Sequence, residues 1–77
     1  MARYFFDMFD GGSTAIDEIG IDCEGPWQVR ARAIEALPEI ARQELPDGDQ
    51  RLFEIKVRDE TGSAVFECSL RFTATWL

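Results

Sequence analysis

The opening of the chain alternates. Tyr4, Phe6 and Met8 fall on one side of an extended backbone, and Arg3, Phe5, Asp7 and Phe9 fall on the other. This predicts a strand that runs into an Asp10-Gly11-Gly12 turn, with Phe5 and Phe9 left on the face away from the core. Ser13 to Ile16 is short and weakly patterned, as suits an edge strand closing a hairpin, and Asp17-Glu18-Ile19-Gly20 makes the next turn. Gly25-Pro26 then starts a helix, because proline at the first helical position gives up an N–H that would have no partner there. Trp27, Ala31, Ile34, Leu37, Ala41 and Leu45 recur at spacings of three and four, which predicts the stripe that faces the sheet. Pro38 interrupts this segment. Since the stripe continues in phase beyond it, the pattern predicts one kinked helix, ended by Pro46-Asp47-Gly48-Asp49.

Arg51 to Arg58 alternates cleanly, with Phe53, Ile55 and Val57 inward and Leu52, Glu54, Lys56 and Arg58 outward. Asp59-Glu60-Thr61-Gly62 repeats the acid-acid-x-Gly pattern of the earlier turn, where glycine supplies the left-handed conformation of a tight hairpin. The last strand then places Ala64, Phe66, Cys68, Leu70 and Phe72 inward and Val65, Glu67, Ser69 and Arg71 outward. Thr73 to Leu77 can prolong it, with Trp76 outside the pattern.

The element order is strand, strand, helix, strand, strand. It predicts one α+β domain over residues 1–77, a two-layer ββαββ sandwich with a single helix on a four-stranded sheet. The first and last strands are the most apolar, so pairing them at the centre gives the order 2-1-4-3 of a β-grasp-like sheet. An all-antiparallel order, 2-1-3-4, is the competing solution. Phe6, Ile34, Ile55 and Phe66 share the inward phase and are expected to be almost fully buried.

Composition narrows the function classes. A formal charge of −7, from 15 acids and 8 bases, repels phosphate backbones and anionic lipid, which argues against nucleic-acid partners. The same charge permits the opposite role, an acidic surface that imitates nucleic acid. The apolar runs are too short for a membrane-spanning helix, and no basic region followed by a hydrophobic segment opens the chain, so a cytoplasmic protein is expected. Cys23 and Cys68 belong to no C-x-x-C pair and are expected as reduced, packed thiols, with a disulfide open only if the fold brings them together.

Histidine is absent, which removes Ser-His and Cys-His catalysis and the commonest transition-metal ligand. The acids Asp7, Asp10, Asp17, Glu18, Asp22 and Glu24 crowd the first third of the chain but form no calcium-loop motif, so no metal is assigned. With 15 acids in 77 residues some close pair arises by chance, and no catalytic carboxylates are assigned; an enzyme built on them is the lesser reading. Gly11-Gly12 lacks any phosphate-loop pattern, and no cofactor is expected. Aromatics beside arginines on a sheet face suit a single-stranded nucleic-acid platform, but Glu54 and Glu67 interrupt that surface.

Met1-Ala2-Arg3-Tyr4-Phe5-Phe6-Asp7, Asp10-Gly11, Asp17-Glu18-Ile19-Gly20 and Val57-Arg58-Asp59-Glu60-Thr61-Gly62 together resemble a family of small bacterial proteins known only as a domain of unknown function. The resemblance spans nearly the whole chain, implies a free-standing cytoplasmic domain, and carries over no catalytic residue. Cys23, Trp27, Pro38 and Trp76 look particular to this member.

One helix cannot cover both faces of a sheet, so an apolar outer patch is expected around Phe5, Phe9, Leu52 and Val65, bordered by Arg71 and Trp76. Those six residues form the candidate interaction surface. The expected function is a non-enzymatic protein-interaction module that self-associates as a homodimer through this face or through an edge strand. The competing arrangement is that the stems of Arg71 and Lys56, or the chain end with Trp76, cover the rings.

Overall fold

The computed structural model describes residues 1–45 and 48–77. Its elements are β1 (Ala2–Asp10), β2 (Ser13–Ala15), β3 (Ile21–Cys23), α1 (Pro26–Glu44), β4 (Gln50–Arg58) and β5 (Ala64–Thr73). All pairings between named strands are antiparallel, in the order β2-β1-β4-β5, and β3 pairs with Ala2–Tyr4 of β1. The β-grasp-like order 2-1-4-3 is therefore corrected: the four anticipated strands lie 2-1-3-4, and β3 is an additional fifth.

The reason lies in β4 and its turn. Phe53, Ile55 and Val57 are all fully buried, so β4 needs a neighbour on both edges, and the Asp59–Gly62 turn already fixes β5 on one of them. β1 takes the other, from Phe5 opposite Arg58 to Asp10 opposite Phe53. Gly11 and Gly12, both at positive φ, then reverse the chain, and the Gly11 N–H donates to Leu52 O at 3.2 Å. β3 escapes a pattern reading because three residues show no period. It is held by register instead, with Arg3 opposite Asp22 and their side chains paired at 3.1 Å.

Between β2 and β3, the five residues Ile16 to Gly20 stand opposite only three of β1. Asp17 closes the gap. One of its oxygens accepts from the Phe6 N–H at 3.0 Å, where a strand carbonyl would otherwise sit, and the other accepts from Ile19 and Gly20, both at 3.0 Å. The Asp17 N–H in turn donates to Asp7 Oδ1 at 3.0 Å. Gly20 has φ of 81°, and a Cβ there would meet Arg3 Cγ at 2.8 Å, so both conformation and space require glycine.

α1 starts as expected. Gly25 O accepts from the Gln28 and Val29 N–H groups, and Gln28 Oε1 reaches back to the Glu24 N–H at 2.7 Å. The helix runs unbroken through Pro38, and the Leu45 N–H donates to Ala41 O at 2.8 Å. Of the expected helix stop, Gly48 is at positive φ, and Pro46 and Asp47 lie outside the described residues.

The stripe that faces the sheet is the predicted one only in part. Leu37 and Ala41 are buried and Leu45 is partly buried, as expected, but Val29 and Ala33 complete the buried row, while Trp27 is 65% and Ile34 39% exposed, and Ala31 faces solvent. Positions 29 and 33 lie within about 120° of 37 and 41, and so do 27, 31 and 34, so periodicity cannot choose between them. The small side chain at Ala33, beside the Ile34 of the predicted stripe, lets the helix close onto the wide Phe53-Ile55-Val57 row.

Two further expectations are corrected. Phe66 is only partly buried, because the strand that carries it is an edge. Met8 is more than a third exposed, because α1 lies over β4 and β5 and leaves the inner side of β1 near the first hairpin uncovered. Phe6 and Ile55 are buried as expected.

A Phe53→Ala variant should lose about 3–5 kcal/mol of stability, a large part of the total for a domain this small. Chemical denaturation measures it, and a loss below about 1 kcal/mol would contradict the central position of β4. Pro38→Ala should instead gain about 1–2 kcal/mol, because restoring a helical N–H at an exposed position and removing the ring's clash one turn back outweigh the unfolded-chain entropy that the alanine adds.

Candidate interaction surfaces

The outer face of the sheet is not an open apolar patch. Phe5 and Phe9 do lie there, but the Arg58 guanidinium stands 4.6 Å from the Phe5 ring centre and Lys56 Nζ 5.1 Å from that of Phe9. Phe5 and Arg58 are directly opposite in the ladder, so the cap is a cross-strand pair. Arg58 also donates to Asp7 Oδ2 at 3.0 Å and to Asp17 O at 2.7 Å, which ties the cap to the Asp17 stitch. Leu52 is half-buried on the same face opposite Arg71, which is exposed. Lys56 covers a ring as the competing arrangement had it, whereas the second cover is Arg58 and not Arg71.

Val65 is the clearest departure. A β-bulge between Val57 and Arg58 sets Phe66 opposite Val57 but Ala64 opposite Arg58, leaving Val65 as the extra residue. Ala64 therefore shares Arg58's outer phase. Val65, 47% exposed, turns out of the outer patch and lines a recess of about 230 Å³ with Tyr4, Pro26, Val29 and Phe66.

Four of the six crowded acids of the first third are engaged in holding the fold. Asp7 pairs with Arg58, Asp10 with Arg51, and Asp22 with Arg3, while Asp17 takes the amides described above. Burial works to raise the Asp17 pKa, but the amides of Phe6, Gly20 and Ile19 and the charge of Arg58 prevail and hold it below the ordinary carboxylate range. Asp59 repeats the device. Its carboxylate accepts from the Thr61 hydroxyl at 2.6 Å and from the Thr61 and Ser63 N–H groups, and those donors lower its pKa too. Both acid-acid-x-Gly turns thus use their first aspartate as an amide collector, a role the shared pattern could have disclosed.

A groove of about 480 Å³ opens between α1 and the first hairpin. Met8, Ala15, Ile16 and Ile21 line its sheet side, with Arg32 and Glu35 on the helix side. Cys23 and Cys68 are both free thiols, and burial pushes both pKa values up. Among the described residues, no three of the acids and cysteines gather closely enough to hold a metal ion.

The free apolar surface lies at the opposite edge. Among the described residues β5 has no strand on its outer side, and Leu70 is 40% exposed beside the half-buried Phe66, Cys68 and Phe72. On α1, Arg32, Glu35 and Ala36 line the groove toward β1, so at 100° per residue Trp27, Ile34 and Pro38 fall on the flank above β5. The Phe6 N–H points to Asp17, away from β4. Alternation along the ladder then aims the backbone groups of Phe66, Cys68 and Leu70 at β4, and those of Glu67, Ser69 and Arg71 at the free edge. Beyond β5 the Ala74 N–H still donates to Asp49 O at 2.8 Å, after which the chain leaves the sheet and Trp76 stands 99% exposed. Pattern reading missed this surface because it assigned Trp27 and Ile34 to the core.

Residues 3–71 match the family model described as "Domain of unknown function (DUF6894)". No curated protein and no solved structure matches the chain.

Asp17→Ala should cost about 1–2 kcal/mol by leaving the Phe6, Ile19 and Gly20 amides without their acceptor. Asp17 and Asp59 have depressed native pKa values, so the unfolded chain binds protons more readily than the native one. Their stabilisation is complete above pH about 4 and is lost as pH falls through the depressed values. Acid titration of the unfolding midpoint should therefore show a decline below pH about 4 that is shallower in Asp17→Ala. An identical decline in parent and variant would contradict the stitch.

Proposed function

This chain belongs to the DUF6894 family, and we propose that it is a non-enzymatic protein-interaction module that self-associates through the β5 edge. The observation that carries this reading is the self-complementarity of that edge. In an antiparallel β5–β5′ pairing centred on Ser69, Ser69 faces its own copy, Glu67 faces the second copy's Arg71, and Arg71 faces its Glu67. These three positions are the ones whose backbone groups point outward, so each pair exchanges two hydrogen bonds. Among the described residues, neither Glu67 nor Arg71 makes an ion pair within its own chain, and both are exposed.

The same register aligns the apolar side. Phe66 meets the second copy's Phe72, and Cys68 meets its Leu70, on the inner face of a sheet continuous through both copies. α1 lies over β4 and β5, so with strands about 4.8 Å apart the two helices approach to about 10 Å, a packing distance. The flanks that meet are those bearing Trp27, Ile34 and Pro38. A ten-residue edge strand with half-buried apolar side chains and no proline is a template for such pairing unless it is covered.

The residues around the groove support a non-enzymatic role. Asp17, which lines the groove together with Glu35, is held ionised by backbone amides, which unfits it as a proton donor near neutrality. On the outer face, the rings that a nucleic acid would stack on are already capped by Arg58 and Lys56.

Sedimentation equilibrium tests the reading. The parent should sediment at twice its 8.8 kDa chain mass. Glu67→Arg and Arg71→Glu should each weaken the dimer roughly tenfold or more, because each sets like charges across the seam twice, and the combined reversal should restore it. A monomeric parent overturns self-association, and a combined variant no better than the single ones overturns the Ser69-centred register.

A further inference from the structure

Trp76 has no contact that explains it. A tryptophan 99% exposed, beside an equally exposed Leu77, leaves apolar surface in water that its own chain does nothing to cover. The adjoining backbone remains tied to the sheet only as far as the Ala74 N–H bond to Asp49 O. The recess of about 230 Å³ beside Val65 is the complementary feature. Tyr4, Pro26, Val29 and Phe66 give it aromatic and aliphatic walls at the start of α1, and two of its lining residues, Val65 and Phe66, belong to the edge strand β5.

Tail and recess lie at opposite ends of β5. The recess adjoins Val65 and Phe66 at the strand's beginning, and Trp76 follows its last residue, Thr73, so within one chain they are separated by the length of the strand. An antiparallel copy brings them together. With Ser69 facing its counterpart, Phe72 lies opposite the second copy's Phe66, and the chain beyond Phe72 continues alongside that copy's Val65 and Ala64. Trp76 is four residues past Phe72 and three past the end of the strand at Thr73, on a short tail that brings the indole within reach of the side on which Pro26 and Val29 stand.

Resting on the β5-edge reading above, we propose that Trp76 of each copy inserts into the Tyr4-Pro26-Val29-Val65-Phe66 recess of the other, so that the tail anchors the dimer reciprocally. The indole would lose contact with water over on the order of 150–250 Å² in each of the two sites. Trp27, exposed at the start of α1, would border the inserted ring.

The experiment uses Trp27→Phe, which leaves Trp76 as the sole tryptophan and whose own dimerisation is measured first by sedimentation, because position 27 lies on the flank that meets the second copy. Across the concentration range in which sedimentation reports dimer formation, Trp76 emission should shift to the blue and become protected from acrylamide quenching. In the Glu67→Arg background, where the edge pairing is opposed, both changes should vanish. Trp76→Ala in the parent chain should weaken the dimer roughly tenfold or more. A dimer that forms with Trp76 still emitting and quenching as a free indole, or that is as tight after Trp76→Ala, overturns the anchor and leaves the edge pairing standing. A blue-shifted Trp76 in monomeric Glu67→Arg also overturns it, because the ring then folds onto its own chain. A parent that is monomeric throughout overturns the edge reading and the anchor together.

Discussion

A single helix of 19 residues covers the inner face of this sheet, and most of the molecule follows from how little one helix can cover. An α-helix is about 10–12 Å across, while four strands spaced about 4.8 Å apart present a wider face. α1 settles over β4 and β5, where Phe53, Ile55 and Val57 form the most apolar row, and touches β3 through the short connection that launches it. What it cannot reach stays open. On one side that is the groove at Met8, Ile16 and Ile21, and on the other it is the β5 edge with the Trp27 and Ile34 flank above it.

The opposite face solves its lack of a second helix differently. Phe5 and Phe9 are capped by cations from the neighbouring strand, and the arginine that caps Phe5 is itself fixed by Asp7 and the Asp17 carbonyl. A cation over a ring keeps the ring's apolar surface from water while its charge remains solvated, so a thin layer of side chains substitutes for a second packed element. The consequence for function is that the outer face is already satisfied by the chain itself.

The β5 edge joins the bulge, the strand polarity and the tail into one surface. The bulge turns Val65 off the outer face and into the wall of a recess, the ladder's alternation aims Glu67, Ser69 and Arg71 outward, and Trp76 trails from the other end. Each feature has a local cause. Their conjunction along one strand is what the proposed self-association draws on, since an antiparallel copy reverses the strand and presents each end with the other.

Much of this was legible in the residues. Alternation in β1 and β4 assigned Phe6, Ile55, Phe5 and Phe9 to their faces, Pro26 marked the helix start, and the two acid-acid-x-Gly segments marked turns, all because these signals depend on the nearest few residues. The expected resemblance to a domain of unknown function agrees with the family model that matches residues 3–71. Three things were decided only in the tertiary structure. Strand order depends on which edges close, and the β4–β5 hairpin with the fully buried β4 row excluded the parallel centre. On the helix, Leu37 and Ala41 can be joined by Val29 and Ala33 or by Trp27 and Ile34, and contact with the sheet chose the first pair by allowing close approach at Ala33. The bulge at Val57/Arg58 reversed the phase of Ala64 and Val65, because one extra residue in a strand moves everything beyond it to the other face, and nothing in a run of alternating side chains records where that residue sits.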